Sequence, residues 1–455
     1  MTRIVIINHY GSTTGTGMGG RHHYFARELA RKGHTVTLVA ARSHHLIRDD
    51  IDSEKLPDEE MIDGYRFMRI STPVYTHAHD KRRVLAALTF SAKLSTLHRR
   101  LGWKPDVVLC SSPDLLSYLG AERLARSCGA RLVFEVRDIW PLTLVELGGV
   151  SPKHPYIRFL QWIEDRAYTQ ADRVISNLKG AVEHMAGRGM DRAKFTWVPN
   201  GIAIDEVETP EPLSADVAAQ IPAEGLRIVY TGTLGTANAL DTLMEAAALL
   251  TDLPDIHILL IGKGREKAEL EAKRDALRLT NLRFLGAIPK AQVQSALAAC
   301  DVCYIGWVKS SLYQWGIAAN KVPEYLFSGK PIIHAFSGSH DPVDKFKAGL
   351  SIPAESPVML AHAIRQIYSM SESESERRRI GDNGQRAALE HYDYRVIAQR
   401  LEDVLTGGEG SVDGVDAPSR RCCHVNSPNL QVGKLFVDQA ACAADFHASN
   451  ASSRW

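Results

Sequence analysis

Residues 316–333 read GIAANKVPEYLFSGKPII, and this stretch decides the second half of the fold. A polar loop leads into a short helix, a glycine stop and a buried strand. Asn320 is a suitable N-cap, because its side chain can accept from the first unpaired backbone N–H groups. Pro323 falls in the first turn, where its missing donor costs little. Gly329 ends the helix, and Pro331 prevents it from resuming. Lys321 and Glu324 are three residues apart, so they share a helical face. The N-terminus of such a helix has partial positive charge and free N–H groups, which suit a diphosphate. Lys321 adds a full charge there, and Glu324, one turn on, can accept from ribose hydroxyls. A nucleotide-sugar site is the sharper reading of the segment. A surface ion pair on an ordinary helix is the plainer one.

The same rhythm surrounds it. Strands are predicted over 227–230, 256–261, 283–285 and 302–305. Helices are predicted over 240–250 and 290–299, with one more from the 262–264 loop to about residue 278. The first half alternates likewise, with strands over 3–8, 35–40, 67–71, 107–111, 132–136 and 173–176. A loop over 10–20 precedes a helix over 21–32. Such alternation implies parallel sheets covered by helices on both faces, with ligands at the carboxyl ends of the strands. The expected fold class is α/β, with two doubly wound Rossmann-like domains facing across a cleft. The expected domains are 1–200 and 201–405, joined through a Pro-, Glu- and Asp-rich linker over 199–222. A helix over 395–405 closes the ordered part. After Gly407 the composition shifts to Gly, Ser, Asp and Ala without a period, which predicts a disordered tail over 406–455. A stray strand over 430–437 carries no assigned function.

Composition narrows the classes. The chain has 455 residues, 45% of them hydrophobic, enough for two domains with sizeable cores. With 54 basic and 53 acidic residues, bulk charge offers no attraction to nucleic acid. A local basic patch can still meet an anionic membrane. The opening MTRIVIINHYG reads as a strand entering a loop, without the regions of a signal peptide. No apolar run is long enough to span a bilayer, so a cytoplasmic protein is expected. The seven cysteines, at 110, 128, 300, 303, 422, 423 and 442, are odd in number and do not suggest a disulfide framework. Cys300 and Cys303 have metal-ligand spacing but no second Cys/His pair nearby, so they read as buried thiols.

Several segments, in their order and spacing, resemble the family-4 retaining glycosyltransferases of the GT-B fold. They are GMGGRHHYFARELARKGHTVTLVA at 17–40, VPNGI at 198–202, YTGTLG at 230–235, IGKGREKAEL at 261–270, FLGAIPKAQV at 284–293, and the opening stretch. The resemblance covers roughly residues 1–405. EVRDIWP at 135–141 and ANKVPEYLFSGKP at 319–331 resemble a narrower subgroup that builds bacterial surface polysaccharides such as O-antigen and capsule. That subgroup includes L-fucosamine transferases.

The resemblance implies a nucleotide sugar, expected to be a UDP-sugar, held by the second domain. Gly232 and Thr233 would approach the diphosphate, Lys267 would face its phosphates, and the backbone around Ala287 and Ile288 would meet the base. Glu324 would hold the ribose. The family usually has a second glutamate eight positions before this one, where this chain has Gly316, and an arginine where this chain has Thr233. Asn320 and Lys321 are the expected replacements. Gly19, Gly20 and Arg21 would cradle an acceptor phosphate, since they open a helix. Many members carry a His-Asp pair after a central strand, and here the pair is Arg137-Asp138. Arg137 stays protonated and cannot act as a base, but it can bind phosphate or leaving-group charge. Asp138 can orient a hydroxyl or accept a proton. Arg137, Asp138 and Lys321 are therefore the catalytic candidates, with no resident cofactor and no metal. A lipid-linked glycan is the expected acceptor.

Other features are weaker. His22, His23, His44 and His45 offer a metal cluster as a minor reading, since the resemblance implies no essential metal. The 262–264 glycines lack P-loop spacing, and GTGMGG at 15–20 lacks the acid that a dinucleotide fingerprint needs. Residues 81–101 are basic, with Phe90, Leu94, Leu97 and Leu101 at helical spacing. Membrane contact and a core-facing helix are both open readings of that stretch. Two rival functions remain, a UDP-sugar epimerase on the same fold and a non-catalytic assembly subunit.

Overall fold

A computed structural model describes residues 1–408, except 18, 19, 49, 76–79, 81 and 371–373. Gly19, Lys81, the three C-terminal cysteines and the expected tail beyond residue 408 lie outside the described residues.

The first sheet contains β1 (Arg3–Ile7), β2 (Thr35–Ala41), β3 (Glu59–Ile62), β4 (Tyr65–Ile70), β5 (Val107–Ser111), β6 (Arg131–Val136), β7 (Arg173–Ser176) and β8 (Phe195–Trp197). Their spatial order is β3-β4-β2-β1-β5-β6-β7-β8. All pairings are parallel except β3–β4. The second sheet contains β9 (Leu226–Thr231), β10 (Ile256–Ile261), β11 (Leu282–Gly286), β12 (Val302–Gly306), β13 (Ile332–Ala335) and β14 (Gly349–Ile352). Its order, β11-β10-β9-β12-β13-β14, is the doubly wound 3-2-1-4-5-6 arrangement. The central strands are apolar along their whole length because helices cover both faces. Ile4 to Ile7 and Ile258 to Leu260 are fully or almost fully buried. In both sheets the strand order reverses beside the first strand, between β1 and β5 and between β9 and β12. Crevices at such reversals are where open α/β sheets bind ligands.

Three expectations change. The stretch over 199–222 is not a plain linker. It carries short helices at Ile204–Val207 and Ala215–Ala218. Arg27 donates to Asp205 and Glu206, at 3.0 and 2.7 Å, tying the first of these helices to the first domain. The second change concerns the domain division at residue 200. The last helix, Tyr394–Thr406, returns to the first sheet, where Tyr394, Ile397, Leu401 and Val404 share a core with Ile4, Ile6 and Leu29. Its apolar stripe needs a partner, and the helix Arg21–Arg31 supplies one. Third, β3 forms an antiparallel edge through the turn at Asp63 and Gly64, both at positive φ. An Asp-Gly pair is the sequence mark of such a turn.

The basic stretch after residue 81 forms helices Arg82–Leu94 and Leu97–Leu101. Phe90, Leu94, Leu97 and Leu101 are buried, so this stripe faces the core, against helix Leu116–Cys128. The opposite face of the first of these helices exposes Val84, Leu85 and Leu88. No helix among the described residues is long and apolar enough to cross a membrane.

Candidate functional site

Helix Lys321–Phe327 docks under the end of β9, and its side chains explain how. Tyr325 is fully buried, and its hydroxyl accepts from the Thr231 backbone N–H at 2.7 Å. Lys321 reaches the same strand end, donating to Tyr230 Oη at 2.7 Å and Asn238 Oδ1 at 2.8 Å. Tyr230 Oη and Asn238 Nδ2 both donate to the Thr233 carbonyl, at 2.6 and 3.0 Å. These four residues form a closed ring of hydrogen bonds that shapes the 232–238 loop. Burial pulls the Lys321 ammonium down to about 7, against the opposing field of Glu324. Lys321 does not pair with Glu324, which rules out the plain surface ion pair. One of its three N–H donors remains.

This geometry corrects the reading of Gly232. Its N–H is already given to the Ile261 carbonyl at 2.9 Å and is not available to a phosphate. A Cβ at Gly232 would lie 2.5 Å from Lys321 Cε. Both this contact and its φ of +138° call for glycine at this position. Asn320 precedes the helix but makes no side-chain cap, since its backbone is already helical at φ −64° and ψ −24°. Gly316 takes φ +97°, a conformation essentially reserved for glycine. The glutamate missing there is therefore excluded by the local backbone.

On the first sheet, the buried Glu135 at the end of β6 organises the opposite wall. It accepts from Arg21 Nε at 2.9 Å, Ser111 Oγ at 2.5 Å and His22 Nε2 at 2.5 Å. Burial alone would raise its carboxyl, but Arg21 and His22 hold it well below the usual carboxylate range. His22 Nδ1 accepts from Asn8 Nδ2 at 2.7 Å, so the ring is neutral and donates through Nε2. Burial keeps it neutral by lowering its pKa. Arg21 also donates to the carbonyls of Pro199 and Val198 and to Asn200 Oδ1. Its guanidinium is thus largely committed to internal partners, and as an acceptor ligand it is corrected to a structural brace. Asn200 Nδ2 donates in turn to the Ala318 carbonyl at 2.6 Å, linking this wall to the loop before Lys321.

Two adjoining cavities lie between these walls. The larger, about 450 Å³, is lined by Gly20, Arg21, His22, Arg137, Lys290 and Glu324, among others. The open first turn of helix Arg21–Arg31 therefore faces the same space as Glu324. Among the described residues Glu324 has no side-chain hydrogen-bond partner, and burial raises its carboxyl despite Lys290 and Lys321. The smaller cavity, about 310 Å³, is lined by Asp138 and Asn177 among largely apolar neighbours that include Trp307, Leu312 and Ile317. Arg137 and Asn320 line both cavities. Asp138 has solvent at its surface yet is ringed by protein in the cleft, and this desolvation raises its carboxyl against the pull of Arg137. Trp307 is fixed from behind, its Nε1 donating to His334 Nε2 at 3.0 Å while His334 Nδ1 holds Asp341 at 2.8 Å.

Of the residues singled out by sequence, Gly20, Arg21, Arg137, Asp138, Asn320 and Glu324 surround these cavities. Gly232, Thr233, Lys267, Ile288 and Lys321 line neither. Lys267 sits on the second domain's surface, 3.6 Å from Glu271. Lys290, Asn177 and Trp307 were missed. Lys290 directly follows Pro289 in the 284–293 segment, and that was its only signal. Asn177 and Trp307 follow the ends of β7 and β12, a position that could have pointed to both. His22 and His23 diverge, to Glu135 and Tyr65. Among the described residues, no three His, Cys, Asp or Glu side chains converge as a metal-ligand set. Cys300 and Cys303 are buried, and burial pushes both thiols up to about 12.

Comparison with known proteins agrees with this architecture. Residues 16–201 match the glycosyl transferase 4-like domain, and residues 225–370 match the glycosyl transferases group 1 domain. WbjE of Pseudomonas aeruginosa, named as a probable glycosyltransferase, is 24% identical over 63% of this chain and 71% of its own length. WcaI of Escherichia coli, named as a putative colanic acid biosynthesis glycosyl transferase, is 24% identical over 59% of this chain and 68% of its own. The structure of Anabaena HepE in complex with UDP-glucose superposes with a TM-score of 0.61 at 16% identity, covering 90% of this chain and all of that one. The fold is GT-B.

Proposed function

We propose that this GT-B chain, with a glycosyltransferase domain in each half, transfers a sugar from a nucleotide diphosphate to a glycan acceptor in bacterial surface-polysaccharide synthesis. The observation that carries the reading is the pair of adjoining cavities. One is charged and fits a nucleotide diphosphate, with Glu324 toward the ribose and Arg137, Lys290 and the open helix turn toward the phosphates. The other is largely apolar and fits a sugar ring. Arg137 and Asn320, common to both, would then flank the bond that breaks.

The donor in this reading is a UDP-sugar, supported by the UDP-glucose complex of the structural relative. The acceptor is lipid-linked, and the exposed Val84, Leu85 and Leu88 beside basic residues would meet the inner face of the plasma membrane. The resemblance to L-fucosamine transferases supports an amino-sugar branch of this chemistry. The transfer retains configuration. The acceptor oxygen attacks the anomeric carbon on the face the diphosphate leaves, the carbon–phosphate-oxygen bond breaks, and the acceptor proton passes to the departing oxygen. Asp138 orients the attacking hydroxyl. Arg137 and the remaining Lys321 donor offset the charge that develops on the diphosphate, the term expected to dominate. Gly316 favours one rival, a nucleotide-binding subunit without turnover.

Calorimetric titration with UDP, GDP and ADP tests the donor site. Selective UDP binding, weakened about tenfold or more in Glu324→Ala through loss of a charged hydrogen bond, is expected. Unchanged affinity in the variant would remove Glu324 from the site. UDP binding with no turnover on any lipid-linked acceptor would favour the subunit reading.

A further inference from the structure

Trp307 and Tyr313 both line the smaller cavity and meet edge to face, with ring centres 5.8 Å apart and planes at 67°. Behind them lie His334 and Phe336, both buried and stacked at 4.9 Å with planes 5° apart. Phe336 packs on Tyr313 with ring centres 5.7 Å apart, and His334 takes the Trp307 hydrogen bond. The four rings close a circuit, with two members buried and two at the cavity wall. Gly338 lets it close, since a Cβ there would collide with Phe336 Cζ and the Tyr313 carbonyl. The circuit is also tied down from behind. Trp307 Nε1 can only donate, so His334 Nε2 accepts from it and the imidazole proton sits on Nδ1. His334 Nδ1 donates that proton to Asp341 Oδ1 at 2.8 Å. The same carboxylate oxygen accepts from the Val343 N–H at 2.8 Å, at the start of helix Pro342–Phe346.

The one polar atom of the indole is thus spent on His334, so Trp307 offers the cavity apolar ring only. The indole cannot turn without giving up a hydrogen bond to a buried partner, which is costly to leave unmade. Tyr313 adds a second ring at a steep angle to the first, and Leu312 and Ile317 line the same space. An aromatic corner of this kind suits a pyranose. The C–H hydrogens of a sugar ring carry slight positive charge and pack on the negative face of an aromatic ring. The sugar's hydroxyls are left for Asp138 and Asn320, which line the same cavity. We propose that Trp307 and Tyr313 receive the C–H face of the transferred sugar, and that His334, anchored on Asp341, is the positioning residue that sets the indole for it. The inference rests on the nucleotide-sugar reading above and adds which side chains read the sugar ring.

The test follows the Trp307 indole N–H by heteronuclear NMR of the full chain, its signal identified by its loss in Trp307→Phe. The titrants are UDP alone, UDP-glucose, UDP-galactose and the N-acetyl counterparts of the two sugars. At least one UDP-sugar is expected to shift the signal beyond the shift that UDP alone gives. In His334→Leu, calorimetric affinity for that UDP-sugar falls about tenfold while affinity for UDP changes less than about twofold. His334→Gln keeps an acceptor for Trp307 and a donor for Asp341, and restores affinity to within about threefold of wild type. If His334→Leu does not fold, Trp307→Phe, which keeps a ring face but not the tether, carries the same comparison with a smaller loss. UDP binding with no further shift from any of the UDP-sugars overturns this inference and leaves glycosyl transfer standing. A His334→Gln variant as weak as His334→Leu, or an equal loss for UDP and UDP-sugar, removes the positioning role. Absence of UDP binding in the wild type overturns the nucleotide-sugar reading as well.

Discussion

Lys321 and Gly316 show how much one residue's setting decides. Lys321 has an ammonium pulled to about 7 by burial, so its charge is half lost near neutral pH before any ligand arrives. A bound diphosphate favours the charged form and raises that value. Affinity for UDP is then full below pH 7 and falls as pH rises from 7 toward the higher pKa of the complex, by up to about tenfold per unit. Calorimetry from pH 6 to 9 in two buffers should show proton uptake on binding above pH 7, and Lys321→Met should flatten the slope. At Gly316 the expected glutamate is missing because φ is +97°. Restoring it by Gly316→Glu should lower unfolding free energy by about 1–3 kcal/mol through backbone strain, with no gain in turnover. Urea denaturation and a turnover assay check both halves. A Cβ there meets nothing closer than 3.6 Å, so strain rather than collision is the cause.

Between elements, close approach of backbones sets the geometry that holds the cleft. Helix Arg82–Leu94 crosses helix Leu116–Cys128 so tightly that a Cβ on Gly120 would lie 2.1 Å from the Ser91 carbonyl oxygen. Gly120→Ala should therefore lower stability by about 1–3 kcal/mol, measured as a shift of the denaturation midpoint. The helical stripe at Phe90, Leu94, Leu97 and Leu101 was legible from period alone, because burial of one face is written into spacing. Which helix it meets was not, since that depends on residues far along the chain. The helix before β13 was equally legible. Its loop, glycine stop and strand all appear, but Asn320 is not the side-chain cap that its residue type suggests. The chain is already helical at that residue, so the capping geometry never forms.

At the scale of the whole molecule, the last helix matters most. Its Tyr394, Ile397, Leu401, Val404 and Leu405 are buried in the first domain's core. At about 1.5–3 kcal/mol for each large apolar side chain, their sum rivals the 5–15 kcal/mol that holds a typical domain. A chain ending at residue 392 should aggregate or lose cooperative unfolding, as size-exclusion chromatography and calorimetry would show. A cooperative, monodisperse truncation would contradict that role. The sequence by itself determined two doubly wound domains, because strand runs, glycine stops and helical stripes are local patterns that backbone geometry reads directly. It also marked Asn320 and Glu324, since the start of a helix suits a diphosphate and ribose, while Arg137 and Asp138 were marked by the family resemblance. Only the tertiary structure decided that Lys321 is tied beneath a loop, that Arg21 is a buried brace, and that Asn177 and Lys290 join the cleft. These depend on which distant atoms meet, and on what burial does to their charges, neither of which is written in the order of residues along the chain.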